Sequence, residues 1–168
     1  MVRLFSITAI ATAALLCMVS LNKLSAADAG GYKYYSAQAT FEDVLQDLKD
    51  EIIDRGLVID FVGHVDTMLE RTSSAAGSVT KTGKASPYLH AKYLQFCSAK
   101  LAHEAMSANP FNLSVCPYVV FVFESRSQPG KIIVGYRRTI AGPSKRTREA
   151  FANIEELLDG IAKNAVAQ

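Results

Sequence analysis

The chain has 168 residues, of which 49% are hydrophobic and 20% charged, and its formal net charge is +2. This length is enough for one domain with a substantial hydrophobic core. The nearly balanced charge argues against nucleic acid as a main partner, because such proteins carry a clear basic surplus.

The N-terminal segment has the order of a secretory signal peptide. Arg3 precedes an apolar run of 18 residues from Leu4 to Leu21, and small residues follow it. The sequence ADA at 27–29 fits the small-residue pattern of a cleavage site, which predicts cleavage before Gly30. Cleavage before Asp28 is the second choice.

We therefore expect a cleaved signal peptide over 1–29 and a single domain over 30–168. The alternative is an uncleaved membrane anchor, since 18 apolar residues are only just enough to cross a bilayer. After cleavage no membrane span is expected, and the expected location is periplasmic or secreted.

The first elements of the mature chain are a strand and an amphipathic helix. The aromatic-rich stretch from Tyr32 to Ala39 predicts a strand. Thr40 then occupies the position of a helix N-cap, and Arg55-Gly56 has the character of a helix end. The helix between them has one apolar face, made by Phe41, Val44, Leu45, Leu48 and Ile52.

A second strand and a long loop follow. The stretch LVIDFVGHV at 57–65 alternates apolar and polar residues, which predicts a strand with one wet face. A short helical turn is expected next. From Ser73 to Pro87 the chain is rich in glycine and small polar residues, which predicts a flexible loop of the kind that forms lids and binding loops. We expect the apolar face of the second strand, at 57–65, to carry Leu57, Ile59, Phe61 and Val65.

The remaining elements complete an α+β domain. The predicted order is β-α-β-loop-β-α-β-β-α, and the tight hairpin near the end requires antiparallel pairing. We expect a mixed or antiparallel sheet with helices packed on one face. The predicted strands of this half are Tyr88–Cys97, Val115–Ser125 and Lys131–Thr139, and a short helix is predicted at Ser98–Ala108. The final helix has an apolar face of Phe151, Ile154, Leu158 and Ile161.

The strand from Pro117 to Glu124 is apolar on both faces. Val119, Phe121 and Phe123 point one way, and the apolar residues between them point the other. Both faces therefore need cover. Helices of the same chain can cover one face, and we expect a second copy of the protein to cover the other, which predicts a homodimer.

Cys97 and Cys116 are the two cysteines of the mature chain, and an even count in an exported protein suggests a disulfide. The two can meet if their strands run antiparallel, whereas parallel strands would hold them apart. The alternatives are two buried thiols, or a redox or metal site that would add His103. We find no C-x-x-C motif, and His103 falls outside the apolar arc of its helix, as a surface residue does.

A run of basic residues without acids lies near the C-terminus. Such a cluster can hold an anion, a lipid head group or an acidic partner protein. The alternative is a solvated face that is balanced by the acids of the final helix. The candidate anion-binding residues are Lys131, Arg137, Arg138, Lys145, Arg146 and Arg148.

The sequence resembles one known family. YLQFCSAKLAHEAM followed by VCPYVVFVFE resembles the Domain of Unknown Function 302 family, and the likeness covers about residues 40–140. The shared features are PY at a strand entry, Cys97 at a strand end, an Ala-His-x-Ala helix, and Cys116 opening an apolar strand. Here SA at 98–99 replaces the Asn-Pro that the family often shows, and the loop at 73–86 is longer. The resemblance implies a small α+β fold and a dimer, and it implies no activity.

Catalysis has no support in the sequence, which lacks a phosphate-binding glycine loop, a nucleophile elbow and paired catalytic carboxylates. No cofactor is implied. The leading hypothesis is an exported, non-catalytic accessory or binding protein for a small or anionic ligand or a partner protein. The alternative is a thiol-dependent redox or metal-handling protein that uses Cys97 and Cys116.

Overall fold

The computed structural model describes residues 25–28, 30–73, 85–140, 142 and 144–167, with side chains from residue 30 onward except that of residue 73. Six strands and four α-helices lie in these ranges, together with a short 3-10 helix at Pro110–Val115. The strands are β1 Ser25–Asp28, β2 Tyr32–Gln38, β3 Ile59–His64, β4 Tyr88–Phe96, β5 Tyr118–Ser125 and β6 Lys131–Arg137; the helices are α1 Phe41–Ile53, α2 Val65–Ser73, α3 Ala99–Ala108 and α4 Lys145–Asn164.

The strands form one antiparallel sheet in the order β1-β2-β6-β5-β4-β3. This arrangement confirms the α+β class, and the predicted order of elements holds from β2 onward. Two elements are additions to the prediction: the short edge strand β1, and α2, which makes a full helix where the sequence indicated a single turn. No helix of the described ranges is long and apolar enough to cross a membrane.

The core lies between the sheet and two helices, α1 and α4, while α3 packs against α4. The five apolar positions predicted for α1 are all buried, and so are the four predicted for α4. On β5 the core side is made by Tyr118, Val120 and Val122, each at most 2% exposed. Period-2 burial on the strands and period-3.6 burial on the helices therefore meet in one layer.

Polar side chains set the helix starts. The Thr40 side chain accepts a hydrogen bond from the Asp43 N–H at 3.2 Å, as the sequence predicts. Ser98 and Ser144 cap α3 and α4 in the same way. Each cap satisfies a backbone donor that the first helical turn leaves free.

The second predicted strand differs from its expected pattern. A bulge between Ile59 and Phe61 places Ile59 opposite Phe96 on the core side and Phe61 opposite Gln95 on the other side. Ile59 packs against the core, whereas Phe61 is 52% exposed. Because the bulge adds one residue to β3, the simple alternation fails at this point.

The C-terminal end of the predicted loop is anchored by hydrogen bonds to α2 and to the turn after β5. The Ser86 N–H donates to Glu70 Oε2 at 3.2 Å, and Arg126 Nε donates to the Ser86 carbonyl at 2.9 Å. The expected mobility of the loop and its role as a lid concern residues 74–84, which lie outside the described residues.

The predicted signal peptide also lies mostly outside the described residues, and its cleavage stays a prediction. The part that is described, β1, pairs with the outer edge of β2. Cleavage before Gly30 would remove β1 entirely and make β2 the edge of the sheet.

Candidate functional site

One face of the sheet, turned away from α1 and α4, is lined by aromatic side chains; we call it the open face. The register places Tyr34, Gly135 and Phe121 side by side across β2, β6 and β5. It also places Phe121 opposite Tyr93 on β4. These side chains alternate with the buried core residues of the same strands, so they lie on the opposite side of the sheet.

The rings of the open face form a continuous series, which we call the aromatic row. Tyr32 lies 6.2 Å from Tyr34 and 6.4 Å from Phe121, measured between ring centroids. Phe121 stacks on Phe123 at 6.2 Å, and Phe123 meets Tyr88 edge-on at 5.3 Å. These are the separations at which aromatic pairs attract one another. Five rings from three strands thus make one surface.

Two glycines let the rings lie close to the backbone of the sheet. A Cβ on Gly135 would sit 2.5 Å from Phe121 Cζ and 2.7 Å from the Lys33 carbonyl oxygen. Gly63 has the same relation to the ring of Tyr93, its cross-strand partner. A ring that lies over a strand glycine fills the space of the missing side chain and is held in place by it.

The aromatic row borders a cavity of about 660 Å³. Val65 of α2 and Ala91 of β4 also line it. Four of its polar residues come from the β5–β6 hairpin. They are Ser125 and Ser127, whose hydroxyls share a hydrogen bond at 2.8 Å, together with Gln128 and Lys131. The cavity therefore combines an apolar wall with one polar end.

The charge of the cavity has one sign. None of the described residues that line it is an aspartate or glutamate. Lys131 lies on the open face, because Ile132 beside it is buried in the core. Lys92 also borders the cavity, but its ammonium lies on the core side, 5.3 Å from the Phe41 ring centre and 3.9 Å from Glu42 Oε1.

The predicted cysteine pair meets at the other end of the sheet. Cys97 follows β4 and Cys116 precedes β5, and these strands are antiparallel neighbours. The two residues form a disulfide with Cα atoms 6.3 Å apart, within the range that disulfides require. The disulfide closes the segment that contains α3 and the 3-10 helix.

His103 is an exposed residue of α3, as the sequence predicts. Within the described ranges, no group of three or more histidine, cysteine or acidic side chains converges as metal ligands would. The weak metal candidate of Cys97, His103 and Cys116 therefore gains no geometric support here.

The six basic candidates do not form one cluster. Lys131 and Arg137 begin and end β6, roughly 20 Å apart at the usual rise per residue. Arg138 Nε lies 3.4 Å from Glu155 Oε2, and Lys145 Nζ lies 3.7 Å from Glu149 Oε1. Arg146 and Arg148 are exposed in the first turn of α4, where Arg148 donates to the Gly142 carbonyl at 3.3 Å. Anion binding by the six together stays a prediction.

A polar cluster on the core side was missed by sequence reasoning. Asp159 of α4 accepts hydrogen bonds from Tyr35 at 2.7 Å and from Tyr136 at 3.3 Å, and it pairs with Lys33 at 2.6 Å. Burial raises the pKa of Asp159, but the hydrogen bonds from Lys33 and Tyr35 outweigh it and hold that pKa below its ordinary value. Asp159 in turn raises the pKa of Lys33 through a hydrogen bond.

The two tyrosines of this cluster stay protonated. Burial, and then the hydrogen bond to Asp159, raises the pKa of Tyr35. Burial and the charge of Asp159 raise the pKa of Tyr136 as well. The cluster connects α4 to β2 and β6, so we assign it a structural role and call it the tether of α4. Tyr35 and Asp159, for example, are 124 positions apart in sequence, so no local motif signals the cluster.

The aromatic row was also missed as a site, although a signal for it exists. YKYY at 32–35 and VFVF at 120–123 both alternate rings with other residues, and the alternation indicates two aromatic faces. What the sequence lacks is the pairing that brings these two stretches to opposite sides of β6.

Comparison with known proteins finds a likeness in structure and not in sequence. No protein family matches the chain at the level of sequence, and no curated protein does. Among solved structures the chain is similar to an uncharacterized conserved protein of the Domain of Unknown Function 302 family from Bacillus stearothermophilus, with a TM-score of 0.63 and 13% sequence identity. The match covers 82% of this chain and 99% of the other. The structure thus supports the resemblance stated from the sequence, at the level of the fold.

Proposed function

We propose that this is an exported, non-catalytic binding protein that holds a small molecule with an apolar body on its open face. The observation that carries the proposal is the aromatic row along a cavity that the described residues leave open. Binding sites for small molecules are usually concave, lined by apolar and aromatic side chains, and between about 300 and 1,000 Å³ in volume. The cavity of about 660 Å³ falls within this range.

The exposure of the rings supports the same proposal. Tyr32 is 45% exposed and Phe61 is 52% exposed, and both lie on the open face beside half-buried rings. A contiguous apolar patch of this kind on a soluble domain marks a surface that binds something. The rings over Gly63 and Gly135 are held in place before any ligand arrives, which lowers the entropy cost of binding.

Export is part of the proposal and has two supports. The N-terminal residues have the pattern of a signal peptide, and Cys97 and Cys116 form a disulfide. Structural disulfides persist in oxidising compartments such as the periplasm or the extracellular space. The intact mass of the protein recovered from its host tests this part: the signal should be gone, and retention of Met1 would contradict export.

The homodimer expected from the sequence competes for the same face. In a two-fold dimer the open face of one protomer would pack against the open face of its partner. Lys131 and Arg137 lie on this face, and no described residue that lines the cavity is acidic, so the two copies would oppose like charges. We therefore favour a small ligand over a second copy as the occupant. Light scattering at micromolar concentration tests the choice: a monomer that binds probe fits the proposal, and a dimer that excludes probe contradicts it.

The binding proposal is tested with a neutral fluorescent probe, phenylnaphthylamine, on the purified protein. We expect saturable binding to the folded protein, and binding about three- to tenfold weaker after Phe121→Ala, since one aromatic contact contributes about 0.5–1.5 kcal/mol. Tyr32→Ala, at the exposed end of the row, should weaken binding in the same direction with little risk to folding.

The matched control is Phe111→Ala. Phe111 is 87% exposed on the 3-10 helix, away from the cavity, and its removal should leave binding unchanged. Equal losses from Phe111→Ala and Phe121→Ala would show that the probe binds any exposed ring, which would overturn the proposal. So would a wild-type protein that binds no probe.

A further inference from the structure

Lys131 stands at the polar end of the cavity. It is the first residue of β6, lies opposite Gln38 of β2 in the strand register, and is on the open face. Ser125, Ser127 and Gln128 of the same hairpin line the cavity beside it. Since Ser125 and Ser127 share one hydrogen bond, one of their two hydroxyl hydrogens stays free to donate outward.

The described residues around Lys131 do not neutralise its positive charge. Its ammonium forms no ion pair with a carboxylate of the described residues. The acid of the same hairpin, Glu124, points to the core side, where its Oε1 accepts from the Gly130 N–H at 2.8 Å and its Oε2 lies 4.0 Å from His90 Nε2. Among the described residues, this half-buried cation beside an apolar wall therefore has no counter-charge.

We propose that the ligand of the open face is an amphipathic anion. Its ring-bearing or aliphatic body lies along the aromatic row, and its oxyanion group, a carboxylate, sulfonate or phosphate, binds the Lys131 ammonium. The free hydroxyl of the serine pair and the Gln128 amide supply neutral donors beside it. This inference rests on the proposed function and adds the sign and the position of the ligand's charge. A charge-assisted hydrogen bond is roughly twice as strong as a neutral one, so the ammonium should dominate recognition of the head group.

Two matched dyes test the inference. Anilinonaphthalene sulfonate and phenylnaphthylamine have the same rings, and only the first carries an anionic group. We expect the purified protein to bind the sulfonate about tenfold more tightly than the neutral dye. Lys131→Gln should remove that preference and leave the affinity for the neutral dye within about twofold. Added salt should weaken binding of the sulfonate alone.

The chain offers a close control in Arg137→Gln. The substitution removes the same charge from the same strand. Arg137, however, lies at the other end of β6 and does not line the cavity. It should change neither affinity by more than about twofold. Equal losses from the two variants would show a diffuse attraction of the whole face, and the inference would fall.

The outcomes separate this inference from the proposed function. If both dyes bind the wild type equally and Lys131→Gln changes neither, the anion is wrong and the binding surface stands. If neither dye binds, the proposed function itself fails. If Lys131→Gln binds neither dye, the substitution has altered the shape of the cavity. Lys131→Arg then serves as the rescue variant, because it keeps the charge and should keep the preference for the sulfonate. Failure of that rescue in a folded variant counts against the inference.

Discussion

The two faces of the sheet are both apolar, yet they differ in how their side chains are held. On the core face of β5, Val120 and Val122 are fully buried beneath helices. On the open face of the same strand, Phe121 and Phe123 are only half-buried, and their neighbours are other rings. The first face stabilises the fold through burial. The second leaves apolar area exposed, and we propose that this area binds a ligand.

The largest expected effect separates the faces by stability. Phe96→Ala removes a ring that is completely buried on the core face and should cost about 3–5 kcal/mol. Phe123→Ala, on the open face, should cost less, about 1–2 kcal/mol, since that ring is only partly buried. Urea unfolding of the two variants measures both values. Equal costs would mean that something covers the open face in solution, as a second copy would.

The disulfide should stabilise the fold without taking part in binding. Replacing Cys97 and Cys116 with alanine should lower the unfolding free energy by about 3 kcal/mol, because the closed segment is about 20 residues long. Phenylnaphthylamine affinity should not change once the variant is folded, because the disulfide lies at the far end of β4 and β5 from the hairpin. A free-thiol count on the untreated mature protein, from which Cys17 has been removed with the signal peptide, should find none.

The opposite pattern would favour the thiol-dependent alternative. If the double variant melts like the wild type yet loses its function, the cysteines act chemically and not structurally. Metal content of the same sample then distinguishes redox chemistry from metal handling.

The tether of α4 should make stability depend on pH in a defined direction. Because the pKa of Asp159 is lower in the folded protein than in the unfolded chain, its contribution is complete above about pH 4 and is lost as the pH falls through the folded value. Asp159→Asn should therefore cost about 1–2 kcal/mol near pH 7, a value discounted for partial exposure. The difference from the wild type should shrink below about pH 4.

A second pH dependence and a control variant make this prediction more specific. Lys33 has a raised pKa, so its contribution is complete below about pH 10 and is lost as the pH rises through the folded value. Glu156→Gln is the control, because Glu156 is an exposed residue of the same helix. A constant difference between Asp159→Asn and the wild type from pH 3 to pH 7 would contradict the tether.

The smallest expected effect concerns a buried hydroxyl on the core face. The Tyr118 hydroxyl is buried and finds no hydrogen-bond partner among the described residues, and burial raises its pKa to about 12. Tyr118→Phe removes a polar group without a partner and should be neutral or stabilising by up to about 1 kcal/mol. A loss of more than 1 kcal/mol on thermal unfolding would show that the hydroxyl has a partner in solution.

Patterns within one element were predictable from the sequence. The apolar positions of α1 follow the helical period, the caps at Thr40 and Ser144 are polar, and β5 is visibly apolar on both faces. These features depend on residues a few positions apart, where period and propensity operate. The α+β class followed from the order of such elements.

Features that depend on distant pairing were not predictable. The bulge at Ile59 and Phe61 arises from the register between β3 and β4, and nothing within β3 signals it. The basic run looked like one cluster, but strand length places Lys131 and Arg137 at opposite ends of β6. The aromatic row needs β2 and β5 to flank β6, a fact of topology that no single stretch contains.

The central claim is that the open face binds a small molecule while the core face only stabilises the fold. Nuclear magnetic resonance of the aromatic side chains, with phenylnaphthylamine added, tests it most directly. The claim predicts intermolecular contacts and shifts at Tyr32, Phe121, Phe123 and Tyr88, with Phe111 unchanged. Contacts confined to Phe111, or no contacts at saturating probe, would contradict it.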